Sequence, residues 1–241
     1  TTAFEQACAE AEAEWTKQLE RKGYGLDVET SAAVRSVSPM LAYEYEKHAK
    51  AVDWETAIAQ PKLDGFRCLA WREGGQVFMK SREGKPIATM GHIAERLEEV
   101  LEGEGDGQIL DGELYTHGMP FQKIASAVKK KSEASLLVKY NVYDLISPDP
   151  FKERFNLLGK LVKSSASSPV VRLDAALVRS KEDLMIYQSQ CIETGYEWAM
   201  LRHGRVGYQT GKRSKHLLKV KTFLDDEFEV IDTKEGRGTH Q

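Results

Sequence analysis

The apolar positions of this chain follow a helical period at the start and short strand-like runs afterwards. Phe4, Cys8, Trp15 and Leu19 recur on one helical face, and Thr2 with Glu5 makes a capping-box pair ahead of them. A helix is expected there, ended by Gly23 and packed through its apolar face unless it is the tail of a preceding domain. Residues 24–55 are mixed, with an extended stretch from Ser38 to Ala42 before a short helix over Tyr43 to Lys50. From Thr56 onward, strands alternate with turns and helices. Gly74-Gly75 marks a hairpin between 66–71 and 77–81. Ile93, Leu97, Val100 and Leu101 predict an amphipathic helix that stops at the glycine-rich residues 103–107. Residues 108–115 and 136–146 read as strands, 151–163 and 181–193 as helices, the second opened by Ser180 with Asp183, and 163–169 as a serine-rich loop. Residues 206–221 are expected to form a hairpin and a strand, and 227–232 to begin another strand before a turn at 236–238. That last strand lacks a partner and the chain begins at Thr1, so a fragment of a longer protein is expected.

Composition narrows the class. The 241 residues suit one large domain with appendages, and 41% hydrophobic with 29% charged residues leaves enough apolar mass for a core. No apolar run is long enough to span a bilayer and no basic-then-apolar leader opens the chain, so no membrane association is expected. Three scattered cysteines (Cys8, Cys68 and Cys191) without a Cys-x-x-Cys argue for a reducing compartment and against zinc or a disulfide frame. The net charge of −3 hides an uneven distribution: residues 1–61 carry 6 basic and 11 acidic side chains, residues 202–221 carry 7 basic and none acidic. The net charge alone does not point to a nucleic-acid binder, and the positive charge is concentrated in that one late stretch.

The chemistry concentrates in Lys62-Leu63-Asp64-Gly65-Phe66-Arg67, which reads as strand, tight turn, strand. A primary amine held at such a bend can attack phosphorus, and a cation five residues on can hold the group attacked. An ordinary lysine is charged at neutral pH; nearby cations favour the neutral, nucleophilic amine. Lys219 and Lys221, two residues apart, would face one side of a strand and could meet developing phosphate charge. Taken alone, a Lys-x-Lys is more often a solvated strand face. Five further short motifs follow Lys62 in order: Ser81-Arg82-Glu83-Gly84, Asp111-Gly112-Glu113-Leu114-Tyr115, Tyr143-Asp144, Gly195-Tyr196-Glu197-Trp198, and Leu217-Leu218-Lys219-Val220-Lys221.

With Lys-x-Asp-Gly-x-Arg, these six resemble the nucleotidyl-transfer motifs of ATP-dependent DNA ligases, over about two-thirds of the chain. The resemblance implies an α+β nucleotidyltransferase (ATP-grasp-like) fold of antiparallel sheets flanked by helices. It places an N-terminal helical extension at 1–35, the adenylation domain at 36–223 and the first strand of a truncated OB-fold at 224–241. It implies a monomer acting on ATP and nicked duplex DNA with Mg²⁺, Lys62 forming a covalent lysine-AMP intermediate. By resemblance Gln60 meets the base edge, Tyr143 stacks on adenine and Arg67 holds the AMP. Arg82 binds the 5′-phosphate of the nick, and Arg213 reaches either the nucleotide phosphates or the DNA backbone. Lys219 and Lys221 hold the α-phosphate, Glu113 contacts the ribose or the metal shell, and Glu197 helps hold the metal.

One position departs from the pattern: Trp198 stands where these ligases usually have glycine directly after the glutamate. Packing outward or beneath the sheet is expected for it, with Glu197 still usable. GTP-dependent mRNA capping enzymes and RNA ligases share the lysine motif, but the Ser-Arg-Glu-Gly and Asp-Gly-Glu-Leu elements and Pro39-Met40-Leu41-Ala42 look more like DNA ligases. A non-catalytic nucleic-acid-binding relic of the fold is the reading from another class; the intact Lys62, both glutamates and both motif lysines argue against it.

Overall fold

The computed structural model describes residues 2–22, 37–163, 165 and 167–221, with side chains of the first helix described as far as Trp15. The elements expected at 224–241 and the stop at Gly23 lie outside the described residues. Helix α1 (Ala3–Lys22) opens as its sequence predicts: Thr2 N donates to Glu5 Oε2 at 2.8 Å, and Glu5 N donates to Thr2 Oγ1 at 3.2 Å. Among its described side chains, the apolar face is not packed as expected. Phe4 is 77% and Trp15 55% exposed, and Cys8 is exposed too. Strong helix formers and local contacts such as Gln6 to Glu10 account for the helix without burial.

Two five-stranded sheets form the body. The strands are β1 (Leu41–Glu44), β2 (Ile58–Lys62), β3 (Phe66–Glu73), β4 (Gln76–Ser81), β5 (Ile109–Tyr115), β6 (Lys139–Leu145), β7 (Val170–Arg172), β8 (Ala176–Leu177), β9 (Trp198–Arg202) and β10 (Arg213–Val220). One sheet has the order β1-β10-β9-β2-β8, the other β4-β3-β5-β6-β7. All pairings are antiparallel except β1 with β10 and β6 with β7. The β3–β4 hairpin turns at Gly74 and Gly75, both at positive φ (57° and 79°), which side chains with a Cβ resist.

Helices cover the outer face of each sheet. The second sheet packs Cys68, Leu110 and Leu114 against α3 (Gly91–Val100), α4 (Phe121–Lys129) and α5 (Phe151–Leu161), whose Leu97, Ile124 and Leu158 are fully buried. Each such side chain contributes about 1.5–3 kcal/mol. The first sheet packs Ala59, Leu201 and Leu218 against Tyr45 of the short helix α2 (Tyr45–His48) and Leu184 of α6 (Lys181–Glu193). Ser180 caps α6 by accepting from Asp183 N at 3.1 Å.

Two expectations need correction. The strand read over 136–146 begins only at Lys139. Residues 133–137 form a 3-10 turn because Ser135 Oγ accepts from Ser132 N and donates to Ala127 O, leaving Leu136 and Leu137 exposed. The hairpin expected from Val206 onward instead pairs β10 with β9. Residues 206–212 form a loop held to the other sheet, with Tyr208 N donating to Ser147 O and Tyr208 Oη to Asp111.

Candidate active site

The ladder of the first sheet explains how its functional side chains meet. Residues opposite one another across antiparallel strands leave the sheet on the same face, and alternate residues of one strand share that face. Lys62 lies opposite Trp198; Gln60 opposite Met200, which lies opposite Lys219; and Ile58 opposite Arg202, which lies opposite Leu217. Lys221, one residue past β10, extends the first row on the far side of Trp198. The other face carries Ala59, Ala199, Leu201, Leu218 and Val220 and belongs to the apolar core. The strand period alone therefore brings Lys62, Lys219 and Lys221 to one side.

That side forms one wall of a cleft of about 490 Å³ between the two sheets. Gln60, Lys62, Arg67, Arg82, Glu113, Tyr143, Arg213 and Lys219 all line it. Lys62 is paired with Glu197, whose carboxylate accepts from Nζ, and Glu197 N donates to Lys62 O at 3.3 Å. Trp198 does not pack outward or beneath the sheet as expected. Its ring lies 5.7 Å from Lys62 Nζ and 4.7 Å from Lys221 Nζ. The register leaves it no choice, because the residue opposite Lys62 must share its face.

The second sheet supplies the opposing wall. Arg67 Nε donates to Asp111 Oδ1 at 2.9 Å, and its Nη2 donates to Asp111 Oδ2 and to Met40 O. Burial alone would lower the Arg67 pKa, but Asp111 overrides it and holds the guanidinium well above its usual value. Glu113 sits opposite Arg67 in the ladder and accepts from Tyr143 Oη at 3.3 Å. Gly65 lets β3 approach this strand closely: a Cβ there would fall 2.7 Å from Glu113 Cγ. Burial pushes the Glu113 carboxyl up to about 7, helped by Asp111 and opposed by Arg67 and Lys62. Burial also holds the Tyr143 phenol well above its usual value, so it stays a donor.

The Glu113 shift makes a stability prediction. Its folded pKa lies above the ordinary 4.5, so its contribution is fully present below about 4.5 and is lost as pH rises through about 7. Glu113→Gln cannot ionise. It is expected to melt near the wild type at about pH 5 and above it at about pH 8, read by thermal unfolding without ligand. An equal difference at both pH values would count against a raised Glu113 pKa.

The floor holds a charge network not anticipated from the sequence. Asp144, fully buried, accepts from Arg154 Nε at 2.7 Å, Arg154 Nη2 at 3.0 Å and Arg202 Nη1. Arg202 Nε donates to Gln60 Oε1 at 2.9 Å, and Gln60 Nε2 donates to Tyr143 O at 3.3 Å. Gln60 is thus 1% exposed and engaged at both ends of its amide. The Tyr143 ring is flanked by Arg67 and Arg202 at 5.5 and 5.6 Å. A carboxylate inside the apolar run Val142–Leu145 was the available signal, since a charge there needs cationic partners.

The basic run 202–221 divides rather than lining one surface. Arg202 is buried in that network, and Arg205 lies 3.8 Å from Glu55. Arg213 is exposed at the cleft and donates to Ala42 O at 2.7 Å, while Lys219 lies 3.7 Å from Glu44. Lys212 and Lys215 are exposed, as is Arg82 at the cleft mouth. Among the described residues no group of three or more acidic, histidine or cysteine side chains could cage a metal.

Comparison with known proteins decides the family. The model of the ATP dependent DNA ligase domain matches residues 39–221. The chain belongs to this family. A DNA ligase of African swine fever virus is 28% identical over 248 residues, covering 98% of this chain and 58% of the viral protein. The DNA ligase of Archaeoglobus fulgidus is 27% identical over 220 residues, covering 84% of this chain and 39% of its own. The chain thus spans about half the length of the curated relatives it matches. Among solved structures, a Chlorella virus DNA ligase-adenylate superposes with a TM-score of 0.60 at 25% identity, covering 77% of this chain and 67% of that one. A structure from an analysis of Lig E DNA ligases gives 0.64 at 24% identity, covering 83% and 75%, and shows the shared fold. The α+β arrangement of mainly antiparallel sheets in this ligase-family chain is the expected one. No helix among the described residues is long and apolar enough to cross a membrane.

Proposed function

We propose that the chain is the adenylation domain of an ATP-dependent DNA ligase, spanning 36–223 with a helical extension before it and the start of an OB-fold after it. Lys62 is its nucleophile. The observation that carries this reading is the placement of Lys62: its amine lines the cleft between the sheets, paired with Glu197 and facing the wall that holds Arg67 and Glu113. Nζ, held in contact with Glu197, loses a proton to solvent before attack. The nitrogen lone pair then forms a bond to the α-phosphorus of ATP, and the bond from that phosphorus to the bridging oxygen breaks. Pyrophosphate leaves, and a second proton passes to solvent as the lysine-AMP phosphoramidate forms. Lys219 and Lys221 receive the phosphate charge, Arg67 and Arg213 hold the nucleotide, and Tyr143, with Gln60 beneath it, meets the adenine.

In the complete ligase a 5′-phosphate oxygen at a nick attacks the same phosphorus and the lysine nitrogen leaves. The neighbouring 3′-hydroxyl then attacks the activated phosphate and AMP departs. Arg82 and the exposed Lys212 and Lys215 suit contacts to the DNA backbone. The donor set fits magnesium, which takes one or two carboxylates and shares substrate phosphates instead of needing a protein cage. Glu113, a carboxyl that burial keeps partly protonated, and Glu197 would hold it, and it would supply charge neutralisation at the phosphates. The reading places the protein in a reducing compartment such as the cytoplasm, acting as a monomer.

The test is an intact mass after incubation with magnesium and either ATP or GTP. A gain of about 329 Da with ATP alone is expected, the mass of one AMP on a covalent lysine. An adduct with GTP alone would move the chain to the capping enzymes. No adduct with either nucleotide, in a protein that includes the downstream domain, would favour a non-catalytic relic.

A further inference from the structure

Trp198 stands between two amines that belong to different strands. Lys62 on β2 lies directly opposite it, Lys221 follows the last residue of β10 on its other side, and both ammonium groups approach its ring, at 5.7 and 4.7 Å. An aromatic face attracts cations through its quadrupole, and indole does so most strongly. Lysine side chains are otherwise flexible four-carbon stems whose ordering costs conformational entropy. We propose that Trp198 is a positioning residue, its indole holding Lys62 and Lys221 in one cross-strand row so that nucleophile and phosphate-binding cation meet the α-phosphate together. Glu197 fixes one side of Lys62, and the ring supplies a second anchor that the carboxylate does not. Lys219, one row further along the same face, is tethered to Glu44 instead, so the ring acts on Lys62 and Lys221 alone.

The nucleophilic role of Lys62 rests on the function proposed above, whereas the hold of the ring on the two amines does not. The experiment therefore reads both. In protein carrying ¹³C-labelled lysine, two ε-CH₂ signals are expected to be displaced by the indole ring current. One should vanish in Lys62→Met and the other in Lys221→Met, and both should return to the bulk lysine position in Trp198→Leu. Failure of either signal to be displaced would overturn the proposal. In single-turnover adenylation, Trp198→Leu keeps bulk but removes the π face. It is expected to lower the rate at saturating ATP by about 3- to 30-fold, the range a cation–π contact supports, with ATP affinity within about twofold. Trp198→Phe, which retains a π face, should recover most of the rate. A Leu variant as fast as the wild type, or a Phe variant as slow as the Leu variant, would reduce Trp198 to packing and overturn the proposal. Displaced lysine signals in a protein that forms no adduct would sustain the anchoring by the ring while removing the proposed function.

Discussion

Lys62→Arg is expected to fold and bind ATP yet form no covalent adduct, a loss of at least about a thousandfold in adenylation rate. The substitution keeps a positive charge opposite Trp198 and beside Glu197, so the ion pair and the cation–π contact of the resting site survive. It removes the lone pair. A guanidinium does not deprotonate in a protein, and its nitrogen electrons are delocalised, so no proton loss can generate a nucleophile. Intact mass after incubation with ATP and magnesium, beside a calorimetric ATP titration and a melting curve, separates the three properties. Retained melting temperature and ATP binding with no adduct is the expected pattern. An AMP adduct on Lys62→Arg would put the covalent chemistry on another side chain. Loss of ATP binding would mean that Lys62 contributes to the ground state as well as to the attack, since a group acting only in the transition state leaves affinity untouched.

The elements with clear local end signals were legible from the chain alone. Helix α6 runs Lys181–Glu193 as read, because the Ser180 hydroxyl caps it by accepting from Asp183 N. The β3–β4 hairpin was equally plain, since paired glycines at positive φ have few other uses. The misreadings came where a tertiary tether overrode a local pattern. Val206 to Lys212 has the look of a strand approaching a hairpin, but Tyr208 ties it to Asp111 on the other sheet and to Ser147, two residues past its strand β6. Helix α1 has an apolar face that promised packing, yet Phe4 and Trp15 stay exposed; periodicity reports a stripe and not what covers it.

For the site, what could be read was the set of residues and their faces, not their partners. The Lys-x-Lys spacing places Lys219 and Lys221 on one side of a strand, and the ladder carries that side to the cleft. That Arg67 is already committed to Asp111, and that Gln60 spends its amide on Arg202 and Tyr143, depends on register across 44 and on tertiary pairing across 142 and 83 positions. No local pattern encodes those separations. Trp198 was misplaced for the same reason: its neighbour Lys62 stands 136 positions earlier, and only the β2–β9 register shows that the two share a face.

Asp144→Ala should be the most destabilising single change in the site, at about 3–5 kcal/mol, because it strands two buried guanidiniums. Arg154 and Arg202 are 2% and 4% exposed at their side chains, and Asp144, fully buried, is the carboxylate that serves both. Their remaining contacts are to neutral groups: Arg154 donates to Asp149 O, and Arg202 donates to Gln60 and lies over the Phe151 ring at 4.5 Å. None of these offsets a desolvated charge. For a domain of this size the loss corresponds to a fall in melting temperature of roughly 6–20 degrees. The cost lies in the unpaired charges more than in lost attraction, and a second variant tests that distinction. Replacing all three together, as Asp144→Leu, Arg154→Met and Arg202→Met, removes carboxylate and guanidiniums at once and is expected to recover most of the stability. Urea unfolding of the single and triple variants would decide it. A single variant within about 1 kcal/mol of the wild type would mean that water reaches the guanidiniums and the floor of the cleft is wet. A triple variant as unstable as the single would assign the loss to packing around Phe151 and Tyr143 instead.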